Sequence, residues 1–303
     1  MSIPKQLGPY RIERLLGQGG MGAVYFGIHC ETDQAAAVKT LSAGLSSDED
    51  FRRRFIGEIE SLKKLRHPHI VQLFGWGEQD GQLFYAMEFV DGPSLHQQLE
   101  ARMRFAWPQV LRLAIDIARA LKHAHDNGVI HRDLKPANLL MESPDCVKLT
   151  DFGIAKLFGQ SQLTVEGGVV GTADYMAPEQ AHGHTIDNRC DLYSLGTVMW
   201  TLLAGRPPFV AKSLPAVVHK VCYEAPPPLR QFAKDVPAAL DDLIGELLQK
   251  NPADRPRTAV ALAKRLEAMQ HGLGTAAEGA TTPSDADFEL SDQDDTAVRR
   301  ARE

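Results

Sequence analysis

The chain has no run of apolar residues approaching the ~18 that a membrane-spanning helix needs, so no span is expected. Its opening residues, MSIPKQLGPYRIERL, lack the basic, apolar and small-residue zones of a secretory signal. A basic surplus is missing too. Lysines and arginines number 33 against 39 acids, a net charge of −6 that argues against a general nucleic-acid binder. Cysteine is scarce: Cys30, Cys146, Cys190 and Cys222 stand far apart, with no CxxC and no metal-ligand spacing. That argues against disulfides or a zinc site and for buried or incidental thiols in a reducing cytoplasm. No internal repeat is present. What remains is ordinary for a globular protein, 44% apolar and 24% charged over 303 residues, with room for roughly two domains. The negative charge is uneven. Residues 271–303 hold eight acids against three arginines, which leaves the first 270 residues at only −1.

Periodicity divides the chain further. Residues 10–15, 23–28 and 35–39 read as strands, with a glycine turn between the first two. Phe51, Phe55, Ile59, Leu62 and Leu65 recur at helical spacing over about 48–66. Two more strands are predicted at 70–77 and 82–89, with Asp80-Gly81 as the turn. After Asp91-Gly92-Pro93 the pattern becomes helical. Residues 108–127 put Val110, Leu113, Ile117 and Leu121 on one face, and later helices fall near 188–204, 213–223, 237–249 and 258–270. Five strands and one helix followed by a helical remainder predict an α+β chain of two lobes. The small lobe spans residues 1–87, the hinge 88–92 and the helical lobe 93–270. From 271 to 303 a small-residue, acidic tail or linker cannot bury a core and is expected to be disordered.

Chemistry concentrates in two short motifs. His131-Arg132-Asp133-Leu134-Lys135-Pro136-Ala137-Asn138 is followed by Asp151-Phe152-Gly153, so that Asp133, Asn138 and Asp151 lie within nineteen positions. One base to orient a hydroxyl and two oxygen donors to hold a metal against phosphates form the set that phosphoryl transfer from a Mg-nucleotide requires. Upstream lies Gly17-x-Gly19-x-x-Gly22-x-Val24. That spacing alone is weak, because dinucleotide-binding folds share it, but there the glycines open a helix and here a strand follows. Lys39, seventeen residues beyond Gly22, sits on a predicted strand. A lone strand lysine is ordinarily a solvated edge residue; its position after a glycine loop gives it another reading.

Taken in this order, these residues resemble a serine/threonine protein kinase of the bacterial, eukaryote-like type, over about residues 8–270. The resemblance implies a two-lobed protein-kinase fold, with a five-stranded antiparallel sheet and one helix in the small lobe. It implies transfer of the γ-phosphoryl group of ATP to protein Ser/Thr hydroxyls, with Mg²⁺, or Mn²⁺ in its place. Asp133 would accept or orient the hydroxyl proton, Lys135 would stabilise the transferring group, and Asn138 and Asp151 would hold the metal. Gly17, Gly19, Gly22 and Val24 would close over the nucleotide, and Lys39 would hold the α- and β-phosphates. Glu58 and Glu60 compete as the partner of Lys39. Glu58, nine residues before His67-Pro68 and four before Leu62, is preferred, leaving Glu60 as a surface charge. Ala37, Val24 and Leu140 would sandwich adenine behind Met87, while the Glu88 carbonyl and the Val90 amide read its edge. These positions would be apolar and buried in any event, as pocket walls are.

Several supporting roles follow from the same resemblance. His131 would pack beneath the catalytic loop. Glu179, in Ala177-Pro178-Glu179, would pair with Arg255, and Asp191 would anchor the catalytic-loop backbone; Tyr193 stands where many relatives carry tryptophan. Between Gly153 and Ala177, Thr164 is chosen as the phosphosite, with Arg132 as the cation for its phosphate. Glu166 departs from a threonine common in relatives, and Thr172 would bond Asp133 or Lys135. Partners would be protein substrates, together with a weak homodimer through the small lobe. The location would be the cytoplasm, free or as the inner part of a membrane-anchored kinase, with the basic cluster Arg299-Arg300-Ala301-Arg302 suiting the latter. Three other readings compete. A nucleotide-binding pseudokinase or scaffold predicts loss of Lys39, Asp133, Asn138 or Asp151, and all four are present. A small-molecule kinase would lack the 172–179 segment that bears a peptide, and a dinucleotide oxidoreductase fails on the strand after the glycines.

Overall fold

A computed structural model describes residues 3–20, 22–153 and 173–279 of the chain. In the small lobe, β1 (Gln6–Leu7), β2 (Tyr10–Gly19), β3 (Gly22–His29), β4 (Ala35–Leu41), β5 (Leu73–Gln79) and β6 (Gln82–Glu88) form one antiparallel sheet in the order β1-β2-β3-β4-β6-β5. The sheet has six strands, where five are expected from the sequence. The extra one, β1, is two residues long, too short to show any alternation. Strand β5 begins three residues later than its pattern suggests. The backbone at Val71 donates instead to the Leu149 carbonyl at 2.8 Å, and Leu149 returns a bond to His69 at 3.0 Å, stitching the two lobes together.

Alternation gives the sheet two buried faces. Ala37, Leu41, Leu83, Tyr85 and Met87 face the main core, while Ala36, Val38, Phe84 and Ala86 face a second cluster with Leu7, Tyr10 and Ile12. Two helices precede β5: α1 (Ala43–Ser46) and α2 (Glu49–Leu62). The latter is capped by Asp48, whose carboxylate accepts the Phe51 amide at 2.9 Å, and Glu49 and Asp50 complement its positive end. Its stripe Phe51, Phe55, Ile59 and Leu62 is buried on the sheet. Glu58 lies on the flank of that stripe, half-buried, whereas Glu60 is exposed and pairs with Lys63 at 3.2 Å.

Beyond the hinge come α3 (Leu95–Glu100), α4 (Trp107–Asp126), the hairpin β7 (Leu139–Ser143) and β8 (Cys146–Leu149), α5 (Pro178–Ala181), α6 (Arg189–Ala204), α7 (Leu214–Tyr223), α8 (Ala238–Leu247) and α9 (Ala259–Gly279). Helix α6 is buried on every side from Cys190 to Leu203, as expected of a helix at the centre of a lobe, and ends at Gly205 with φ 76°. The β7–β8 hairpin does not appear in the sequence reading, because its strands of five and four residues are too short to show a period. Helix α9 runs to Gly279, beyond the expected boundary at 270. The remaining tail, 280–303, lies outside the described residues.

Candidate active site

The glycine segment is a hairpin of β2 and β3, with Gly17 opposite Val24 and Gly19 opposite Gly22. Its glycines have different physical reasons. Gly22 has φ 140°, and a β-carbon there would stand 1.8 Å from the Thr40 carbonyl oxygen, so the fold itself requires glycine. At Gly17 and Gly19 a β-carbon would meet open space. Packing does not demand glycine at either, and their backbone is left uncovered by side chains.

Cross-strand pairing places Lys39 opposite Tyr85, and Ala37 opposite Met87. Ala37 and Met87 are buried in the main core, and Val24 and Leu140, partly buried, pack against that core. The Glu88 side chain bonds Lys148 and accepts the Gln72 amide at 3.0 Å. The hinge residue Val90 is buried.

Lys39 does not pair with Glu58. Its Nζ lies 2.6 Å from Asp151 Oδ1, and the two side chains are 18% and 27% exposed. Asp151 adopts φ 54°, a left-handed conformation costly for a side-chain-bearing residue, and this backbone carries its carboxylate toward the lysine. Burial pushes the Asp151 carboxyl up, but Lys39 and the Tyr85 hydroxyl pull it below the ordinary range overall. Glu58, whose carboxyl is raised by burial, feels the positive charge of Arg132 instead.

The catalytic loop is assembled around Asp191 at the start of α6. This fully buried carboxylate accepts the His131 amide at 2.9 Å on Oδ2 and the Arg132 amide at 2.8 Å on Oδ1. His125 Nε2 of α4 lies 2.8 Å from Oδ2; burial pushes this carboxyl up, but the His125 contact, the electrostatic pull of the His131 and His125 rings and the His131 amide together hold it below its usual value. Arg132 is itself left-handed, at φ 62°, so the two amides are presented by strained backbone that Asp191 holds in place. The His131 ring is buried 4.6 Å from that of Phe152, with Nε2 3.1 Å from the Thr150 carbonyl and Nδ1 accepting the Asp133 amide at 3.3 Å. Burial lowers its pKa, which fits a neutral structural ring. The Gly153 amide donates to the His131 carbonyl at 2.8 Å, tying the aspartate triplet to the octet.

Within the octet, Lys135 Nζ lies 2.8 Å from Asp133 Oδ2, and Asn138 Nδ2 donates to the Asp133 backbone carbonyl at 2.9 Å and to Oδ2 at 3.2 Å. The amide group of Asn138 is therefore oriented from its nitrogen side. Among the described residues no cluster of three or more His, Cys, Asp or Glu side chains would enclose a metal by itself. One amide oxygen and one carboxylate nevertheless suit Mg²⁺, which takes few protein ligands and completes its shell with phosphates and water.

A buried clamp supports the loop from below. Arg255 reaches Glu179 with both arms, at 2.7 and 2.8 Å, and bonds the carbonyls of Gln249, Arg189 and Lys250 at 2.8, 3.1 and 3.1 Å. Next to Glu179, the Gln180 side chain donates to the Arg132 carbonyl at 2.9 Å, and Ser194 of α6 donates to the Tyr175 carbonyl at 2.8 Å. Thr164, Glu166 and Thr172 lie outside the described residues. Two contributors, His125 and Tyr85, escape sequence reasoning. His125 sits one residue past the apolar stripe of α4, with nothing to mark it. For Tyr85 a signal existed: a polar-tipped aromatic two residues before Met87 shares its strand face.

This two-lobed fold, with its glycine hairpin, strand lysine and loop-borne Asp133, Asn138 and Asp151, is that of a phosphotransferase of the protein-kinase class. Residues 10–267 match the family model described as the protein kinase domain, and the chain belongs to that family. It is 40% identical over 271 residues to serine/threonine-protein kinase pkn3 of Myxococcus xanthus, covering 86% of this chain and 50% of that protein. Against serine/threonine-protein kinase PknJ of Mycobacterium tuberculosis it is 39% identical over 288 residues, covering 93% and 48%. The chain thus spans about half the length of these curated relatives. Among solved structures, the Mycobacterium tuberculosis PknI kinase domain superposes with a TM-score of 0.72 at 33% identity, covering 90% of this chain and all of that one. Among the described residues no helix is long and apolar enough to cross a membrane.

Proposed function

We propose that this chain is the catalytic domain of a Mg-ATP-dependent serine/threonine kinase whose acceptors are proteins, its own residues included. The observation that carries the reading is the meeting of Asp133, Lys135, Asn138 and the Asp151 triplet on one hydrogen-bonded loop system beside Lys39. Asp133 orients the acceptor hydroxyl and takes its proton. Lys135, held at its side, offsets charge on the transferring group. Asn138 and Asp151 hold the divalent ion, which when bound neutralises charge on the phosphates. Lys39 leaves Asp151 for the α- and β-phosphates, and Glu58 then serves as its anion. Gly17 and Gly19 let backbone amides approach those phosphates, Val24, Ala37 and Leu140 sandwich adenine, and the Glu88 carbonyl and Val90 amide read its edge. Phosphate on Thr164 pairs with Arg132 and orders the activation segment. The scaffold alternative finds no missing side chain to stand on.

Mass spectrometry of the protein after incubation with Mg-ATP, beside Asp133→Asn, tests this proposal. Phosphate on Thr164 in the wild type and none in the variant is expected. Phosphate elsewhere keeps the enzyme and removes Thr164; nucleotide binding without any phosphate restores the scaffold reading.

A further inference from the structure

Tyr85 belongs to none of the motifs above, yet it touches their centre. It stands on β6 directly across from Lys39, and its side chain enters the main core, where the residue is only 3% exposed. Leu62, Leu65, Met87 and Phe152 line the small cavity it borders. A buried phenol needs a hydrogen-bond partner. Here the partner is Asp151, whose Oδ1 accepts the Tyr85 hydroxyl at 3.0 Å. The same oxygen contacts Lys39 Nζ at 2.6 Å. Both donors therefore converge on Oδ1, and among the described residues Oδ2 accepts no hydrogen bond.

We propose that Tyr85 is a positioning residue of the divalent-cation site, holding Asp151 by Oδ1 so that Oδ2 is presented to the metal. The inference rests on the Mg-nucleotide reading given above. Under that reading Lys39 departs for the phosphates, and one of the two donors on Oδ1 is lost. The tyrosine hydroxyl does not leave with it, because its ring is packed in the core and its backbone is paired within the sheet. Asp151 needs such a hold. Its left-handed backbone is strained, and its side chain is a quarter exposed and free to rotate if released. Metal-ligating carboxylates are regularly oriented by outer hydrogen-bond donors of this kind.

The test is Tyr85→Phe, which deletes one oxygen and keeps the ring. Calorimetry follows binding of a non-hydrolysable ATP analogue to the full chain as Mg²⁺ is titrated, and steady-state phosphorylation is measured in parallel. The Mg²⁺ midpoint should rise about tenfold or more in the variant, in line with losses of outer-shell partners elsewhere. Nucleotide binding without Mg²⁺ should be unchanged, and kcat at saturating Mg²⁺ should stay within about threefold, a split that a general packing defect would not give. An unchanged midpoint overturns the proposal. So does a lowered one, which would make the hydroxyl a restraint that keeps Asp151 on Lys39. Wild-type protein that binds the analogue with no Mg²⁺ dependence sinks the functional reading itself, a result distinguishable from either.

Discussion

Arg255 and Lys39 are both cations set against carboxylates, but their surroundings are opposite. Arg255 is fully buried with its five donors all engaged, two on Glu179 and three on carbonyls, and the Tyr193 ring lies 4.9 Å from its guanidinium. Lys39 is partly exposed and meets one carboxylate oxygen, which it shares with Tyr85. A saturated, water-free network has a single arrangement and fixes the platform beneath the catalytic loop. An ion pair open to solvent on one side has a smaller desolvation cost and can exchange partners. The helical lobe therefore supplies fixed geometry, and the small-lobe side holds an ion pair that is free to exchange.

The sharpest test of the contrast is Arg255→Met. Removing one partner leaves Glu179 buried without its cation, and the expected loss is about 3–5 kcal/mol of folding stability. Thermal denaturation should show a midpoint lower by roughly 10 °C, given about 2–4 °C per kcal/mol in a domain of this size. A change below about 2 °C would mean that the buried clamp is no firmer than the exposed pair.

A smaller effect is expected from Glu58→Gln, and it should fall on rate rather than stability. Glu58 has no ion pair with Lys39 in this arrangement, so urea unfolding should shift by less than about 1 kcal/mol. Phosphorylation should slow by roughly tenfold or more if Glu58 becomes the anion of Lys39 during turnover. A stability loss as large as that of Arg255→Met would show the contrast to be false.

A third effect, confined to acid pH, concerns the junction of the lobes, where His67 stacks on His123 at 5.4 Å with its rings 30° apart. Burial, together with His69, His123 and Arg119, pushes the His67 pKa down to about 4. A histidine lowered in the folded state takes up its proton more readily when unfolded. Its contribution is therefore complete above about pH 6.5 and is lost as pH falls toward 4. Thermal scans from pH 7 to pH 4 should show a shallower decline for His67→Gln than for the wild type. Parallel curves would remove this histidine from the acid sensitivity of the junction.

Much of the molecule was legible because the signals were local. The Phe51, Phe55, Ile59, Leu62 stripe and the Val110 to Leu121 face of α4 are periodicities that burial imposes on sequence. The 131–138 octet and the aspartate triplet were legible as chemistry. Two-residue β1 and the short hairpin of β7 and β8 were not, since neither is long enough to express a period. The later start of β5 was hidden for another reason: Val71 and His69 spend their backbone bonds on Leu149, far along the chain.

By itself the sequence determined the five longer strands of the small lobe, the long helices, the two-lobed class and the set of side chains suited to phosphoryl transfer. Each depends on residue type and spacing within one short segment. Tertiary structure alone decided that Lys39 rests on Asp151, that Tyr85 shares that oxygen, that Arg132 and Asp151 take left-handed backbones, and that His125 helps hold Asp191. These contacts join residues 66 to 112 positions apart, or rest on strain that distant partners offset. No local pattern encodes them, because they are fixed only when packing brings those segments together.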